Sequence, residues 1–323
     1  MGAYPACGHG GRVVALDLSF AAVDLDDPAL IDRAVGALLG LAVGDAIGTT
    51  LEFTARDAQP ALTDMVGGGP FALEPGQWTD DTAMALALAD SLKHRGGFDA
   101  RDCISRFVNW YRWGAYSCTG ECFDIGGATR SALLKFEKDG DAFAGSTDPF
   151  SAGNGSLMRL APVPIWGLKH GAKVIADTAW EQSRTTHGAF ECLQACEGYA
   201  LLIARAIAGE RKADVLAPAA DPPSGKVGAV LGGGWRGKTR DQIASSGYVV
   251  HSLEAALWCV DQASDVAEAV LLAANLGDDA DTVAAITGQL AGALWGASSI
   301  PEAWRARVAW GDEIVQTARA LLA

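Results

Sequence analysis

Two short segments of this sequence combine carboxylate and hydroxyl side chains immediately before a helical pattern. Residues 76–82 read GQWTDDT and residues 275–282 read NLGDDADT, and an apolar helical run follows each of them. Asp and Thr are favoured at helix N-termini, where a negative charge gains about 0.3–1 kcal/mol from the helix dipole. Capping therefore explains one or two acids in each segment.

The second segment holds more charge than capping explains. Asp278, Asp279 and Asp281 lie almost side by side, and each added carboxylate repels the others unless a cation neutralises them. Carboxylate and hydroxyl oxygens are hard ligands that suit Mg²⁺ or Mn²⁺ rather than zinc. The pattern indicates a site in which the two segments enclose a pair of ions, and simple capping stays open as the alternative.

The elements that must position these side chains are helical in pattern. Apolar residues recur every three or four positions in residues 30–43, 82–93, 101–113, 127–136, 172–182, 189–208, 252–260, 264–275 and 281–296. Alternating β-branched runs are scarce and no Pro/Gly-rich linker separates two cores, so we predict one all-α domain. Prolines and a triple glycine in residues 209–247 predict a long surface loop.

Composition narrows the classes of function. The 323 residues carry a formal net charge of −14, which argues against binding to nucleic acid or to an anionic membrane. No uninterrupted apolar run approaches the roughly 20 residues of a membrane span. Residues 1–28 are predicted to be a poorly ordered extension, and residues 29–323 the domain.

The cysteines favour a reduced, cytoplasmic protein. Seven cysteines, an odd number, lie mostly within apolar helical patterns. The pairs Cys118/Cys122 and Cys192/Cys196 have a spacing that could suggest zinc, but structural thiols are the favoured interpretation because buried cysteine is common.

Several motifs in one order along the chain resemble the ADP-ribosylglycohydrolase family. They are residues 40–48 (GLAVGDAIG), 52–53 (EF), 78–82 (WTDDT), 153–159 (GNGSLMR), 185–187 (TTH) and 279–282 (DADT). Residues 122–126 (CFDIG) and 246–250 (SGYVV) resemble its bacterial dinitrogenase reductase-activating glycohydrolase (ADP-ribosylarginine hydrolase) branch. The resemblance covers roughly residues 30–320 and leaves the N-terminal segment outside it.

The resemblance implies a single orthogonal all-α bundle with a binuclear Mg²⁺ or Mn²⁺ centre at the floor of a cleft. The implied metal ligands are Thr79, Asp80, Asp81, Asp279, Asp281 and Thr282. Asp278 occupies a position where many relatives have glycine, and we treat it as a supporting or capping acid.

The resemblance also implies an activity, hydrolysis of the glycosidic bond between ADP-ribose and a modified protein side chain, most often arginine. Such a bond breaks through an oxocarbenium-like transition state. Asp80, Asp81 and Asp281 are the implied essential acids, and Asp281 is placed to bridge or orient the metals. Glu52 is implied as a general acid/base or a cleft-closing gate, and Asp124 as a contact to the ribose or to the leaving guanidinium.

The remaining implied contacts are to the substrate. The loop of Gly153, Asn154, Gly155 and Ser156 would present backbone N–H groups to the diphosphate. His187 would lie against the distal ribose or phosphate, and Tyr248 would stack on the adenine or cover the cleft. Without the resemblance, the loop is a simple turn, and His187 and Tyr248 are core residues.

Two further features are interpreted from context. Residues 232–239 (GGGWRGKT) satisfy the P-loop pattern, but this reading is disfavoured because a P-loop needs a parallel sheet. Trp78, beside Thr79, is predicted to form part of the cleft wall. The expected protein is a cytoplasmic monomer acting on an ADP-ribosylated protein; a non-catalytic ADP-ribose reader or a toxin-immunity protein of the same fold is the alternative.

Overall fold

The structure, a computed structural model, describes residues 23–219 and 222–323. Over those residues the chain is helical, and only isolated backbone bridges take the place of strands. The helices are α1 (Pro28–Gly48), α2 (Asp80–Arg95), α3 (Ala100–Trp113), α4 (Gly127–Asp139), α5 (Pro162–Gly167), α6 (Ala172–Arg184), α7 (Phe190–Ile207), α8 (Lys212–Val215), α9 (Lys226–Leu231), α10 (Val249–Gln262), α11 (Val266–Ala274), α12 (Ala280–Trp295), α13 (Glu302–Arg307) and α14 (Gly311–Leu322). The prediction of an all-α fold is confirmed.

The nine segments with helical periodicity each correspond to one of these helices. The sequence pattern missed α5, α13 and α14 and read the α8–α9 region only as loop. Pro162 and Pro164 argue against a helix on composition, yet both fall in the first turn of α5, where a missing N–H costs no hydrogen bond. The predicted N-terminal extension lies mainly in residues 1–22, outside the described ranges, so it stays a prediction.

Helices α1 and α12 form the centre of the molecule and pack backbone against backbone. A Cβ placed on Gly40 would lie 2.3 Å from the carbonyl oxygen of Gly288, and one on Gly36 would lie 2.2 Å from that of Gly292. At the other end, a Cβ on Gly48 would lie 2.4 Å from the carbonyl oxygen of Ala280. The two helices are therefore antiparallel, and the last turn of α1 meets the first turn of α12.

Helix α1 is a core helix. By length and hydropathy alone it could cross a membrane, but 94% of its apolar window is buried inside the protein. Its C-terminal end therefore places an acid, Asp45, in the buried centre of the fold.

The described cysteines behave as structural thiols. All six described cysteines are free, and four of them are buried: Cys103, Cys192, Cys196 and Cys259. Among the described residues, the groups that could hold a metal consist only of carboxylates. Burial raises the pKa of the Cys103 thiol to about 12, and a thiol so poorly ionised is unreactive at neutral pH.

Candidate metal centre and substrate cleft

The first turn of α2 is held by an acid from another helix. Asp45 accepts hydrogen bonds from the backbone N–H and the hydroxyl of both Thr79 (2.9 Å each) and Thr82 (3.0 and 2.6 Å). Thr79, the N-cap residue, makes no capping bond of its own. Asp45 therefore does the capping from α1, and it fixes the orientation of Asp80 and Asp81 at the same time.

Sequence reasoning did not single out Asp45 as a functional residue. Its signal was the single charged residue within the apolar, buried residues 34–48 of α1, since a buried carboxylate needs a partner. The partner lies 34 residues away in the sequence, so no local spacing reveals it.

Four of the predicted acids, together with Asp45, form two groups that share one member, and the predicted Asp80 is buried beside these groups but belongs to neither. Carboxylate oxygens of Asp45, Asp81 and Asp281 lie within 4.8 Å of one another, and so do those of Glu52, Asp279 and Asp281. The structure thus brings together the two segments of the sequence, with Asp281 common to both groups. A bridging position of this kind is the one expected for Asp281.

The carboxylates of these groups lie in an environment that disfavours their charged form. Burial, followed by the charge of Asp281, raises the pKa of Asp45 to about 7. Burial and neighbouring carboxylates also raise the pKa values of Asp80 and Asp81 well above their usual range. Carboxylates in such a place either hold protons or bind metal.

One oxygen supports metal binding directly. The Oδ1 atom of Asp81 is buried and has no hydrogen-bond partner, which is rare for a carboxylate in a folded protein. All the potential metal-ligand atoms that converge here are oxygens, which hard divalent cations prefer. The residues present therefore fit a divalent metal site.

The other predicted ligands surround the same point. The Thr79 hydroxyl lies 3.3 Å from Asp81 Oδ2 and 3.4 Å from Asp281 Oδ2. The Thr282 N–H donates to Asp281 Oδ1 at 2.7 Å, and the Thr282 side chain lines the cavity above. Asp278 is exposed and belongs to neither carboxylate group, in keeping with its exclusion from the predicted ligands.

A cavity of about 330 Å³ opens above the acids. Its walls include Glu52, Asp124, the first turn of α4 and the loop of residues 153–155. Glu52 Oε2 accepts a long hydrogen bond, 3.4 Å, from the Asp281 N–H. Burial, then the charges of Asp80 and Asp281, raises the pKa of Asp124 to about 10. Both predicted cleft carboxylates therefore face the cavity.

The glycine loop is shaped to fit His187. A Cβ on Gly155 would lie 2.7 Å from His187 Cε1, and one on Gly153 would lie 3.3 Å from Nε2. Thr186 Oγ1 lies 2.9 Å from His187 Nδ1. Burial, together with the nearby guanidinium of Arg159, lowers the pKa of His187 to about 3. His187 is thus a neutral wall of the cavity, and glycine is required where the loop crosses it.

The remaining two loop residues have different roles. Asn154 Nδ2 donates to Asp279 Oδ2 at 2.5 Å and to Ser252 Oγ at 2.9 Å, so it orients a predicted metal ligand and lines the cavity. Ser156 is buried behind the loop with its hydroxyl 2.8 Å from Ser183 Oγ, and it does not line the cavity.

Tyr248 lies in a second groove beside the first. This groove, about 630 Å³, shares Gly153 and Gly247 with the acidic cavity. The Tyr248 hydroxyl donates to Glu191 at 2.6 Å and accepts from Lys226 Nζ at 3.1 Å. Tyr248 is therefore held as a wall of the adjoining groove rather than of the acidic cavity.

Two interpretations from the sequence are decided by these positions. Trp78 is fully buried and its indole N–H donates to the Ala309 carbonyl, so the prediction that it forms the cleft wall is wrong; it anchors the chain before α2 on the C-terminal region. Residues 232–239 follow the short helix α9 rather than a strand, so the rejection of a P-loop is confirmed.

The chain is similar to several known proteins. A family model described as ADP-ribosylglycohydrolase matches residues 26–323. The chain is 49% identical over 294 residues, 90% of its length and 78% of the relative's, to "ADP-ribosylarginine hydrolase Tri1" of Pseudomonas putida (strain GB-1). It is 32% identical over 288 residues, 87% of its length and 92% of the relative's, to "ADP-ribosyl-[dinitrogen reductase] glycohydrolase" of Rhodospirillum rubrum.

A solved structure shares the fold. The structure titled "ADP-ribosylglycohydrolase-related protein complex" superimposes with a TM-score of 0.80 at 41% sequence identity, covering 91% of this chain and 98% of that one.

Proposed function

The chain belongs to the ADP-ribosylglycohydrolase family, and we propose that it hydrolyses the N-glycosidic bond between ADP-ribose and arginine in modified proteins. One observation carries the proposal: two clusters of three acidic residues each share Asp281 at the floor of a cavity that continues into a second groove. A non-catalytic reader would not need a floor of mutually repelling acids. The relative at 49% identity bears the name of an ADP-ribosylarginine hydrolase.

We propose that the cofactor is a pair of Mg²⁺ or Mn²⁺ ions. The residues that would hold them are Thr79, Asp80, Asp81, Asp279, Asp281 and Thr282. When bound, the ions would anchor the ribose hydroxyls and lower the pKa of a bound water. Asp45 and Asn154 support these ligands through the hydrogen bonds that they make to Thr79 and Asp279.

The carboxyl groups of the cavity supply the proton transfers. Water attacks the anomeric carbon as the bond to the guanidino nitrogen breaks; one carboxylate takes a proton from the water, and a carboxyl group returns one to the departing nitrogen. Asp124 and Glu52 both border the cavity, and burial raises their pKa values to about 10 and about 12, so both are suited to give the proton; the carboxylates of the floor are suited to take one from the water.

The nucleotide end of the substrate would follow the glycine loop into the second groove. Gly153 and Gly155 leave room for close approach of the diphosphate, and neutral His187 forms the wall behind it without competing for protons. The groove beside Tyr248 is of the size that a nucleoside requires. That the protein works as a cytoplasmic monomer remains a prediction.

The test is the release of ADP-ribose from free ADP-ribosyl-arginine and from ADP-ribosyl-serine, each with Mg²⁺, Mn²⁺ or EDTA. We expect metal-dependent release from the arginine adduct, weak or no release from the serine adduct, and no release in EDTA. Absence of release from either adduct with any metal would refute the enzymatic function. Equal release from both adducts would refute the arginine preference.

A further inference from the structure

Three phenylalanines form a continuous band at the edge of the acidic cavity. Phe53 follows Glu52 in the sequence and Phe123 precedes Asp124, so each borders a cavity carboxylate. Phe71 lies between them, with ring centroids 6.4 Å from Phe53 and 5.3 Å from Phe123. The band therefore connects the chain segments that carry the two cleft acids.

The most exposed ring of the band is held in place by an unusual backbone. Phe53 has 70% of its surface exposed and a φ of 58°, in the left-handed region that non-glycine residues rarely adopt. Its N–H donates to the Asp278 carbonyl at 2.8 Å, and the Asp278 N–H donates to the Thr54 carbonyl at 2.8 Å. Such a conformation persists only where surrounding structure enforces it, and it is concentrated at functional sites.

The segment that carries Phe71 is also fixed. Gly68 and Leu73 exchange two backbone hydrogen bonds, and the Thr50 hydroxyl donates to the Gly67 carbonyl at 3.0 Å. A Cβ on Gly69 would lie 2.1 Å from the carbonyl oxygen of Thr49. The turn is therefore pressed against the chain just before Glu52, and Phe71 is presented from a rigid support.

An isolated exposed aromatic residue needs no explanation, and Trp113 on α3, 79% exposed, is one such residue. The band differs because its rings touch one another and because Phe53 lines the acidic cavity. Phe53 does not line the groove beside Tyr248. The band thus lies at the cavity's own mouth, away from the groove assigned to the nucleotide.

We propose that this phenylalanine band, Phe53, Phe71 and Phe123, is the docking surface for the polypeptide of the substrate protein around its modified arginine. The proposal rests on the proposed function. Aromatic faces attract a guanidinium group and pack against the apolar part of an arginine side chain. Glu52 and Asp124 border the cavity beside the band, and their carboxyl oxygens can accept hydrogen bonds from the N–H groups of a guanidinium, so polar and apolar surface select the same partner.

The experiment compares two substrates, free ADP-ribosyl-arginine and an arginine-ADP-ribosylated protein. Phe71→Ala is the variant of choice because Phe71 does not line the cavity. We expect KM for the modified protein to rise about fivefold to tenfold with kcat unchanged, the effect of losing one aromatic–cation contact. Hydrolysis of the free adduct should stay at the wild-type rate.

Two further variants make the result decisive. Phe71→Leu keeps the apolar volume and the fold but removes the aromatic face, and it should raise KM for the modified protein in the same direction. Trp113→Ala removes an exposed aromatic residue outside the band and should change neither substrate's kinetics.

The outcomes separate the two proposals. Equal losses on both substrates, or an unchanged KM for the modified protein in both Phe71 variants, would overturn the docking surface while leaving the hydrolase function intact. Failure of the wild-type protein to cleave the free adduct would overturn the hydrolase function itself, and the docking proposal with it.

Discussion

Replacing Gly48 by alanine should weaken metal binding far more than it weakens the fold. The added Cβ would lie 2.4 Å from the carbonyl oxygen of Ala280 and 2.4 Å from the Cα of Asp281. Ordinary contacts begin near 3.4 Å, so the first turn of α12 must move by about 1 Å. Metal sites tolerate ligand shifts of only about 0.2 Å, and this turn carries Asp279 and Asp281.

Gly36→Ala is the matched control on the same helix face. Its Cβ would lie 2.2 Å from the carbonyl oxygen of Gly292, an equally severe overlap, but 12 residues of α1, about 18 Å along the helix axis, from Gly48. Overpacking costs about 1–3 kcal/mol, and the gain in helix propensity returns about 1 kcal/mol. Both variants should therefore lose about 0–2 kcal/mol of unfolding free energy.

The two variants should differ in metal affinity. We expect Gly48→Ala to bind Mn²⁺ about 10–100-fold more weakly than wild type, the range seen when the support of a ligand is disturbed, and Gly36→Ala to bind it normally. Titration calorimetry with Mn²⁺ measures the affinity, and thermal unfolding in EDTA measures the stability. Equal Mn²⁺ affinities in the two variants would refute the reasoning that α1 positions the ligands of α12.

Three further predictions concern the floor and the wall of the cavity. Asp281→Asn should fold as wild type and lose most hydrolysis of ADP-ribosyl-arginine, because it removes the charge common to both carboxylate groups; a wild-type rate would show that the metal site is misplaced. Burial raises the pKa of Asp45 and of Asp279 from 3.8 to about 7. Without metal, their full contribution to the free energy of unfolding is therefore present below about pH 4 and is lost as pH rises through 7. The melting temperature in EDTA should therefore fall between about pH 4 and pH 7, and excess Mg²⁺ should remove that fall; a pH-independent value in EDTA contradicts it. Gly155→Ala, whose Cβ would lie 2.7 Å from His187, should raise KM several-fold, whereas Gly97→Ala, whose Cβ meets nothing within 4 Å, should not; matching KM values would contradict the assigned wall.

Local chemistry made part of the site predictable from the sequence. Asp279 and Asp281 stand out because their segment holds more acids than capping needs in a few consecutive residues. Asp80 and Asp81 stand out because they repeat the same combination of carboxylate and hydroxyl residues before a helix. The helices that follow them are visible for a similar reason, since apolar periodicity is a local signal. The family resemblance supplied the positions of Glu52 and Asp124, which composition alone does not distinguish.

What escaped the sequence depends on contacts between distant segments. Asp45 caps α2 from α1, and the phenylalanine band joins residues from three separate loops. Trp78 was misplaced because adjacency to Thr79 says nothing about direction: its ring turns away from the cavity and lies 5.3 Å from that of Trp310. Tertiary packing decides each of these positions, and no spacing rule encodes them.

The charge at the floor of the cavity supports the proposal of two ions rather than one. Seven carboxyl groups lie in or beside the two clusters, those of Asp45, Glu52, Asp80, Asp81, Asp124, Asp279 and Asp281. Helices α2 and α12 both begin here, and their dipoles together offset about one unit of charge. Of the remaining six negative charges, one divalent ion would leave about four and two would leave about two. Two protons balance these last charges, and Asp124 and Glu52 are placed to hold them, because burial and neighbouring carboxylates raise their pKa values to about 10 and about 12. The protons that balance the buried floor therefore lie on the two carboxyl groups that border the cavity, Glu52 and Asp124, where they can be exchanged with a substrate.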